Sequence, residues 1–480
     1  MTTDEFRRVG HEIIELIARY RETLAAQPVM AQVTPGELRQ HLPKAPPETA
    51  TPPEQLLSGL ATVLERGLTH FQHPMFYGYF PANAELSSVL GDLLSSGLGQ
   101  LGLNWQASPA LTELEAHMTD WFRQLLGLPE HFEGVIQDTA STSSLVALIS
   151  ARERASNYSL AAGGLQAVAA PLVVYTSSQS HSSVEKAALL AGFGRDNVRM
   201  IAVDDRFALS VSALERAIQL DLERGLTPCA IVATTGTTAT TACDPIADVA
   251  ALAARYGLWL HVDGAMAGSA MLLPECRHLW QGIEQADSLV INPHKWLGAV
   301  FDCSLYYVRD SEQLVRVMST NPSYLQTAQD GAVTNYRDWG IPLGRRFRAL
   351  KLWFLLQSEG AEGLRARLRR DLENAQWLAE QVRQAPDWQL LAPVQLQTVC
   401  VRHVPAALSA AQLNDHTLAW VAALNASGEA YLTPARLGDS WMVRVSIGAL
   451  ETEREHVERL WQLMQRVATE TQHCESSTGA

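Results

Sequence analysis

Two charged residues stand where charge is expensive. Lys295 follows a short apolar run that begins at Ser288, with Asn292, Pro293 and His294 directly ahead of it. A cationic amine at the mouth of a buried strand is costly unless it is paired or covalently engaged. A lysine beside a turn is ordinarily a surface residue. The chemistry that would use this one is condensation of its deprotonated amine with an aldehyde cofactor to give a Schiff base. The second residue is Asp263, 32 positions earlier, at the end of an apolar stretch from Leu258 and followed by Gly264, Ala265, Ala267 and Gly268. In pyridoxal phosphate enzymes a carboxylate faces the pyridine nitrogen and keeps it protonated, so that the ring is an electron sink. Small residues let a flat ring approach the backbone. Alone, Asp263 is equally an aspartate capping a turn; in this order the two stretches point to one site.

A phosphate needs a seat as well. Gly134 to Ser141 leads into Leu145-Val-Ala-Leu-Ile149, a turn rich in small hydroxyl residues opening a helix. Free backbone amides and the helix dipole at such an end attract a phosphate, although a Ser/Thr-rich N-terminus that binds nothing has the same appearance.

His261-Val-Asp-Gly-Ala-Met-Ala-Gly-Ser-Ala270 followed by Asn292-Pro-His-Lys-Trp296 closely resembles the group II pyridoxal-phosphate decarboxylases, most of all the aromatic L-amino acid (DOPA) decarboxylases. The resemblance runs nearly end to end and includes His73-Pro74, Tyr79-Phe-Pro81, Trp105-Gln-Ala-Ser-Pro109, His181-Ser-Ser-Val184, Gly236-Thr-Thr238 and Ile341-Pro-Leu-Gly-Arg-Arg-Phe-Arg348. It implies an α/β fold of the type I pyridoxal-phosphate class, aspartate aminotransferase-like, and pyridoxal 5′-phosphate held by Lys295. Ala140 and Ser141 match the phosphate-binding positions, joined by Asn292 and His294. His181 matches the residue that stacks on the ring, Thr238 a hydrogen-bond donor near it, and Ala265 a neighbour of Asp263. Tyr336 stands at the position taken for the mobile-loop tyrosine, the candidate acid that protonates the former α-carbon. Tyr79, Phe80 and Pro81 match the lining of the substrate-ring pocket. Leu101 and Leu103 match a loop that reaches the neighbouring subunit's site, so the resemblance implies a homodimer with cross-subunit active-site loops. Two departures bear on the substrate: Ala82 replaces a threonine, and Leu103 replaces an aromatic of the animal members.

The rest of the chain must position these groups. Short apolar runs near 171–176, 197–203, 229–234, 257–262, 288–292 and 303–308 alternate with helical patterns at 182–192, 211–224, 246–256 and 312–319. Such alternation predicts a mainly parallel sheet covered on both faces, with ligands at the strand carboxyl ends. His181, Thr238, Asp263, Asn292 and Lys295 all fall at or just after predicted strand ends. A helix over 4–25 and another at about 54–68 flank a proline-rich connector at 30–54. The polar stretch 321–340 suggests a lid or binding loop. From Gly344 to about Gln384 long helices follow, and then strands near 388–392, 397–403, 429–433 and 441–447 with helices at 409–425 and 450–470. The last residues, Ser476 to Ala480, look frayed. The expected division is a helical arm at 1–84, a cofactor-binding domain at 85–345 and a small α+β domain at 346–480.

Composition limits the function. With 480 residues, 47% hydrophobic and 18% charged, the chain is a globular protein of more than one core. A net charge of −14 argues against a nucleic-acid partner; the basic run Arg365 to Arg370 has the spacing of a solvated helix face. Six scattered cysteines show neither metal-ligand nor disulfide spacing, so no metal is expected. They fit a reducing cytosol. No apolar run is long enough to span a bilayer, and the acidic N-terminus does not resemble a signal peptide. A soluble cytoplasmic decarboxylase of an aromatic L-amino acid, L-DOPA first, is the expectation. Tyrosine, tryptophan, 5-hydroxytryptophan and phenylalanine remain open as substrates. The alternatives are a decarboxylase of an acidic or basic amino acid, an aromatic aldehyde synthase, an aminotransferase or aldol-type lyase of the same fold, and a catalytically silent cofactor-binding regulator.

Overall fold

The computed structural model describes residues 1–320 and 322–478; Asn321 of the polar stretch, and Gly479 and Ala480 of the expected frayed end, lie outside the described residues. The chain divides into two compact units. One combines Met1–Pro81, Gln376–Leu391 and Val399–Ala480; the other combines Ala82–Ala375 with Ala392–Thr398.

The larger unit is built on a seven-stranded sheet of β1 (Glu133–Gln137), β2 (Leu172–Ser177), β3 (Val198–Ile201), β4 (Thr227–Thr234), β5 (Trp259–Asp263), β6 (Ser288–Ile291) and β7 (Ser304–Val308), in the order β1-β7-β6-β5-β4-β2-β3. The pairs β2–β3, β2–β4, β4–β5 and β5–β6 are parallel, while β7 runs antiparallel to both β6 and β1. Every residue of β2, β5, β6 and β7 is buried. That is why these strands read as continuous apolar runs rather than alternating ones. Helices Ser182–Leu190, Val211–Glu223, Ile246–Tyr256 and Ser311–Met318 fall close to their expected places. Among the elements not expected are β1, whose Gly134 and polar ends hid it inside a turn, and the helix Leu86–Leu98. Helix Ala140–Ala155 ties the sheet together. Its Leu148 and Ala151 pack with Val174, Val232 and Trp259, while Val146 and Ala147 pack with Val135, Val290 and Tyr306.

The sheet register lines up the strand ends. Thr234 pairs with Asp263, Asp263 with Val290, Val290 with Tyr306, and Tyr306 with Val135. One row therefore crosses five strands, and the carboxyl ends of β1, β4, β5 and β6 emerge at a single edge. The long helix Ala349–Gln384 begins in this unit and is broken at Gly360, whose φ of 64° is not helical. Its Arg365–Arg370 run is not the solvated face that its spacing suggests. Arg367 is half-buried and donates to the Leu297 carbonyl; a helical period alone does not reveal which flank a second element covers.

The smaller unit carries a four-stranded sheet of β8 (Trp388–Leu390), β9 (Thr398–His403), β10 (Thr433–Leu437) and β11 (Ser440–Ser446), in the order β10-β11-β9-β8. The strand expected at 429–433 begins only at Thr433, and Pro434 lies within it. A proline is tolerated there because β10 is an edge strand. Helices Ala410–Ala426 and Arg454–Thr478 accompany this sheet, the second including Ser476–Thr478, the described part of the end expected to fray. The N-terminal helix Thr3–Thr23 opens on a capping box between Thr2 and Glu5. The helix expected at about 54–68 is regular only over Ala61–Gly67. No helix among the described residues is long and apolar enough to cross a membrane.

Candidate active site

Lys295 lies in the turn Pro293–Leu297, directly beyond β6, and its ψ of −111° departs from helical geometry. The turn is tied down on its upstream side. Lys295 N donates to Asn292 O at 3.0 Å, His294 N to Cys303 O at 3.3 Å, and Asn292 N to Ala265 O at 2.9 Å. Asp263 ends β5. Its Oδ1 accepts from Ala265 N at 3.0 Å, and its carbonyl accepts from Thr235 N at 2.9 Å. The loops after β4, β5 and β6 are thus stitched to one another through backbone bonds. Glycine makes the fit between two of them possible. Gly236 has φ +83°, and a Cβ there would stand 2.4 Å from the Ala267 Cβ.

His181 is the N-cap of helix Ser182–Leu190; its Nδ1 accepts from Ser183 N at 3.2 Å and lies 2.8 Å from Ser183 Oγ. The capping role and a stacking role are compatible, because the cap fixes the ring and leaves Nε2 and the ring face open. Desolvation pulls its pKa down and the Lys295 charge adds to this, while the Asp263 carboxylate opposes both. These couplings put His181, Asp263 and Lys295 within one electrostatic neighbourhood. His294 is buried, and its Nδ1 accepts from Cys303 N at 2.9 Å. Desolvation, then the Lys295 charge, pushes it down to about 4. It is therefore neutral near pH 7, with Nε2 carrying the proton as a donor.

The opening of helix Ala140–Ala155 has the character of an anion seat. Its N-cap Thr139 makes no side-chain capping bond, so the first amides keep their hydrogens available. Ala140 is buried and Ser141 exposed at this end. Ala140 and Ala265 share one buried cluster with Val290. Thr238 is half-buried in the turn after β4, where Thr237 and Thr240 bond to each other at 3.1 Å.

The residues expected around a substrate ring divide between the units. Tyr79, Phe80 and Pro81 belong to the smaller one, Ala82, Leu101 and Leu103 to the larger. Tyr79 has φ +50°; its amide donates to Thr433 Oγ1 at 2.7 Å and its hydroxyl lies 3.0 Å from that of Tyr431. Phe80 carries the Arg444 guanidinium over its ring at 4.9 Å. Leu101 is exposed, and its loop is anchored by Gly102 N to Arg345 O at 3.0 Å and Trp105 N to Asn335 Oδ1 at 2.9 Å.

Tyr336 is not a loop-tip residue. It is 6% exposed in the turn Tyr336–Trp339, edge-on to Trp339 at 5.4 Å, with the Arg345 guanidinium 5.1 Å over its ring. Burial, then the Glu115 carboxylate, raises its pKa. The same polar stretch holds a second tyrosine. Tyr324 is 79% exposed in the turn Ser323–Leu325.

Comparison with known proteins decides the family. A model of the pyridoxal-dependent decarboxylase conserved domain matches residues 35–404. The chain belongs to the pyridoxal-dependent decarboxylase family. Phenylacetaldehyde synthase of Arabidopsis thaliana is 39% identical over 483 residues, covering 98% of each chain. Tyrosine decarboxylase of Papaver somniferum is 38% identical over 486 residues, covering 96% of this chain and 94% of its own. The crystal structure of Oryza sativa TDC with PLP and tryptamine matches with a TM-score of 0.94 at 35% identity, over 98% of this chain and 99% of that one. The decarboxylase is thus a type I α/β lyase that depends on pyridoxal phosphate.

The residues present fit that cofactor on structural grounds. Asn292 Oδ1 and Thr235 Oγ1 are buried with no hydrogen-bond partner among the described residues, both at the edge where β4 and β6 end. Buried polar atoms are rarely left unsatisfied without a reason. A polar ligand at this edge would supply the partner, and the uncapped helix and the His294 donor suit its phosphate.

Proposed function

We propose that this pyridoxal-dependent decarboxylase removes the α-carboxylate of an aromatic L-amino acid, L-DOPA first, with tyrosine, tryptophan, 5-hydroxytryptophan and phenylalanine as further candidates. The observation that carries the reading is the single edge of strand ends at which Asp263, Asn292 and Lys295 meet. Its support for an aromatic side chain is the tyrosine and tryptophan decarboxylases among the relatives.

When bound, pyridoxal phosphate supplies an electron sink for the charge left on the α-carbon. Lys295 is the residue whose amine would hold the aldehyde carbon. Asp263, fixed by the Ala265 amide, is aimed from the end of β5 to bond the pyridine nitrogen. His181, locked by its capping bond, would lie on the ring face, and Thr238 would donate beside it. The amides opening helix Ala140–Ala155, with Ser141, Asn292 and the His294 Nε2–H, would hold the phosphate. A cofactor fixed at both ends in this way would give the site a set ring plane, against which the substrate's scissile bond must stand perpendicular for cleavage to be easiest.

A proton must then reach the α-carbon. Tyr336 was assigned that task by resemblance. A proton donor must reach its target, so Tyr336, enclosed by Trp339 and Arg345, would leave that packing with its polar stretch to deliver the proton. An aldehyde synthase is the second reading, favoured by the phenylacetaldehyde synthase relative. It would take up dioxygen and water when that protonation fails, and release carbon dioxide, aldehyde, ammonia and the hydrogen peroxide to which the dioxygen is reduced.

The reading includes a cytoplasmic homodimer. Helix Leu86–Leu98 exposes Leu86, Leu90, Leu93, Leu94 and Leu98, an apolar surface suited to a second copy. The five described cysteines are all free, in keeping with a reducing compartment. Carbon dioxide, amine and aldehyde measured over a panel of aromatic, acidic and basic L-amino acids test the assignment. Release of carbon dioxide only from acidic or basic members would refute the aromatic substrate, and aldehyde in place of amine would establish the second reading.

A further inference from the structure

The turn that carries Lys295 is gripped from behind by one distant helix. Trp296, the next residue, is wholly buried and donates from Nε1 to Asp371 Oδ2 at 2.8 Å. Asp371, in helix Ala349–Gln384, is 0% exposed, and its Oδ1 lies 3.5 Å from Arg370 Nε. Arg367, one helical turn earlier and so on the same face, donates from Nη2 to the Leu297 carbonyl. Gly298, at φ +100°, gives that guanidinium its space, since a Cβ there would stand 2.9 Å from Arg367 Nη2. Lys295 is thus fixed on two sides by different parts of the chain. Backbone bonds to Asn292 and Cys303 hold it upstream, and two side chains from about 70 residues away hold it downstream.

Stability alone does not account for these groups. A buried carboxylate and a partly buried guanidinium are costly to desolvate, and apolar residues of similar volume often serve a core as well or better. Burial pushes Asp371 up to about 6, against the pull of Arg370, the Trp296 indole and Arg367. What the charged pair provides and an apolar pair would not is a direction: one hydrogen bond orients the indole and one fixes a carbonyl, on the two residues that follow Lys295.

We propose that Asp371 and Arg367 are positioning residues for Lys295, acting through Trp296 and the Leu297 carbonyl to set where its amine meets the cofactor's aldehyde carbon. This rests on the reading of Lys295 given under the proposed function. The test uses full-length protein stripped of cofactor and compares pyridoxal 5′-phosphate with pyridoxine 5′-phosphate, the alcohol that cannot condense with an amine. Asp371→Leu is expected to weaken the aldehyde roughly tenfold, about the worth of one buried hydrogen bond, and to leave the alcohol within about twofold. Asp371→Asn, whose amide oxygen still accepts from Trp296, is expected to keep both affinities near those of the parent. Trp296→Phe removes the same bond from its other end and carries the same expectation if Asp371→Leu does not fold. Equal weakening of both ligands, or an unchanged ratio between them, would overturn the proposal. Lys295→Ala separates the two levels. If it keeps the preference for the aldehyde, the reading of Lys295 itself fails. If it loses the preference while Asp371→Leu and Trp296→Phe keep it, only the positioning role fails.

Discussion

Glu115 and Arg345 form a buried pair whose disruption has a calculable cost. Arg345 donates to both Glu115 carboxylate oxygens, at 2.9 and 2.5 Å, and each side chain is at most 5% exposed. The pair also serves the backbone of β1, an edge strand. Glu115 Oε1 accepts from Ile136 N at 2.8 Å, and Arg345 Nη2 donates to Ile136 O at 2.7 Å. Removing one charge leaves the other buried and unpaired, about 3–5 kcal/mol, so Glu115→Leu and Arg345→Leu should each cost about that much. The double variant loses the stranded charge but leaves the Ile136 N–H and C=O without partners, roughly 1–3 kcal/mol each. It should therefore cost about 2–6 kcal/mol, well short of the roughly 6–10 kcal/mol sum of the singles. Urea unfolding of all four proteins, followed by circular dichroism, measures the difference. Simple additivity would refute the reasoning. Because β1 runs through Ile136 to the uncapped helix at Ala140, each single variant should also bind pyridoxine 5′-phosphate more weakly.

Tyr336→Phe is expected to divert product from amine to aldehyde and ammonia, whereas Tyr324→Phe should keep its amine yield; product analysis showing the reverse would move proton delivery to Tyr324. Gly236→Ala combines a left-handed φ with a 2.4 Å approach to Ala267. It should destabilise by roughly 2–4 kcal/mol, seen as a lowered melting temperature, and an unchanged value would mean that the loop yields freely. His261 is wholly buried, and desolvation pushes it down to about 4, against the raising influence of Asp263. The unfolded chain therefore binds the extra proton first, and stability present above about pH 6.5 is lost as pH falls toward about 4, by up to about 3 kcal/mol. His261→Gln should flatten that acid limb of a melting-temperature profile, and an identical slope would show that other groups set it.

Much of the larger sheet was legible because buried parallel strands write themselves as unbroken apolar runs. Leu172–Ser177 and Trp259–Asp263 announce themselves in this way, and the helices between them follow from their spacing. β1 was not legible. Its five residues begin with an exposed Glu133 and include Gly134, and what completes its edge is an ion pair formed with residues far away in sequence. The same limit applies to Arg367, which alternates with Arg365 and Arg369 in sequence and whose partial burial depends on a turn about 70 residues earlier. The chemistry-bearing residues at strand ends could be placed from pattern alone. Which of two tyrosines in one polar stretch is enclosed could not, since enclosure by Trp339 and Arg345 is a tertiary fact.

The reversal of β7 between β6 and β1 has an evolutionary corollary. Lys295 belongs to a hairpin connection closed by the pairing of Ile291 with Leu305, not to a crossover through a helix. Lengthening a crossover shifts only a surface connection. Deleting one residue between positions 291 and 305 and re-pairing the strands would turn every β7 side chain to the opposite face, exchanging Tyr306 and Tyr307 between two interiors. The reactive lysine therefore sits in a segment of constrained length, and diversification among related chains should collect in the connections at the opposite edge of the sheet, which lead into β3, β4 and β5.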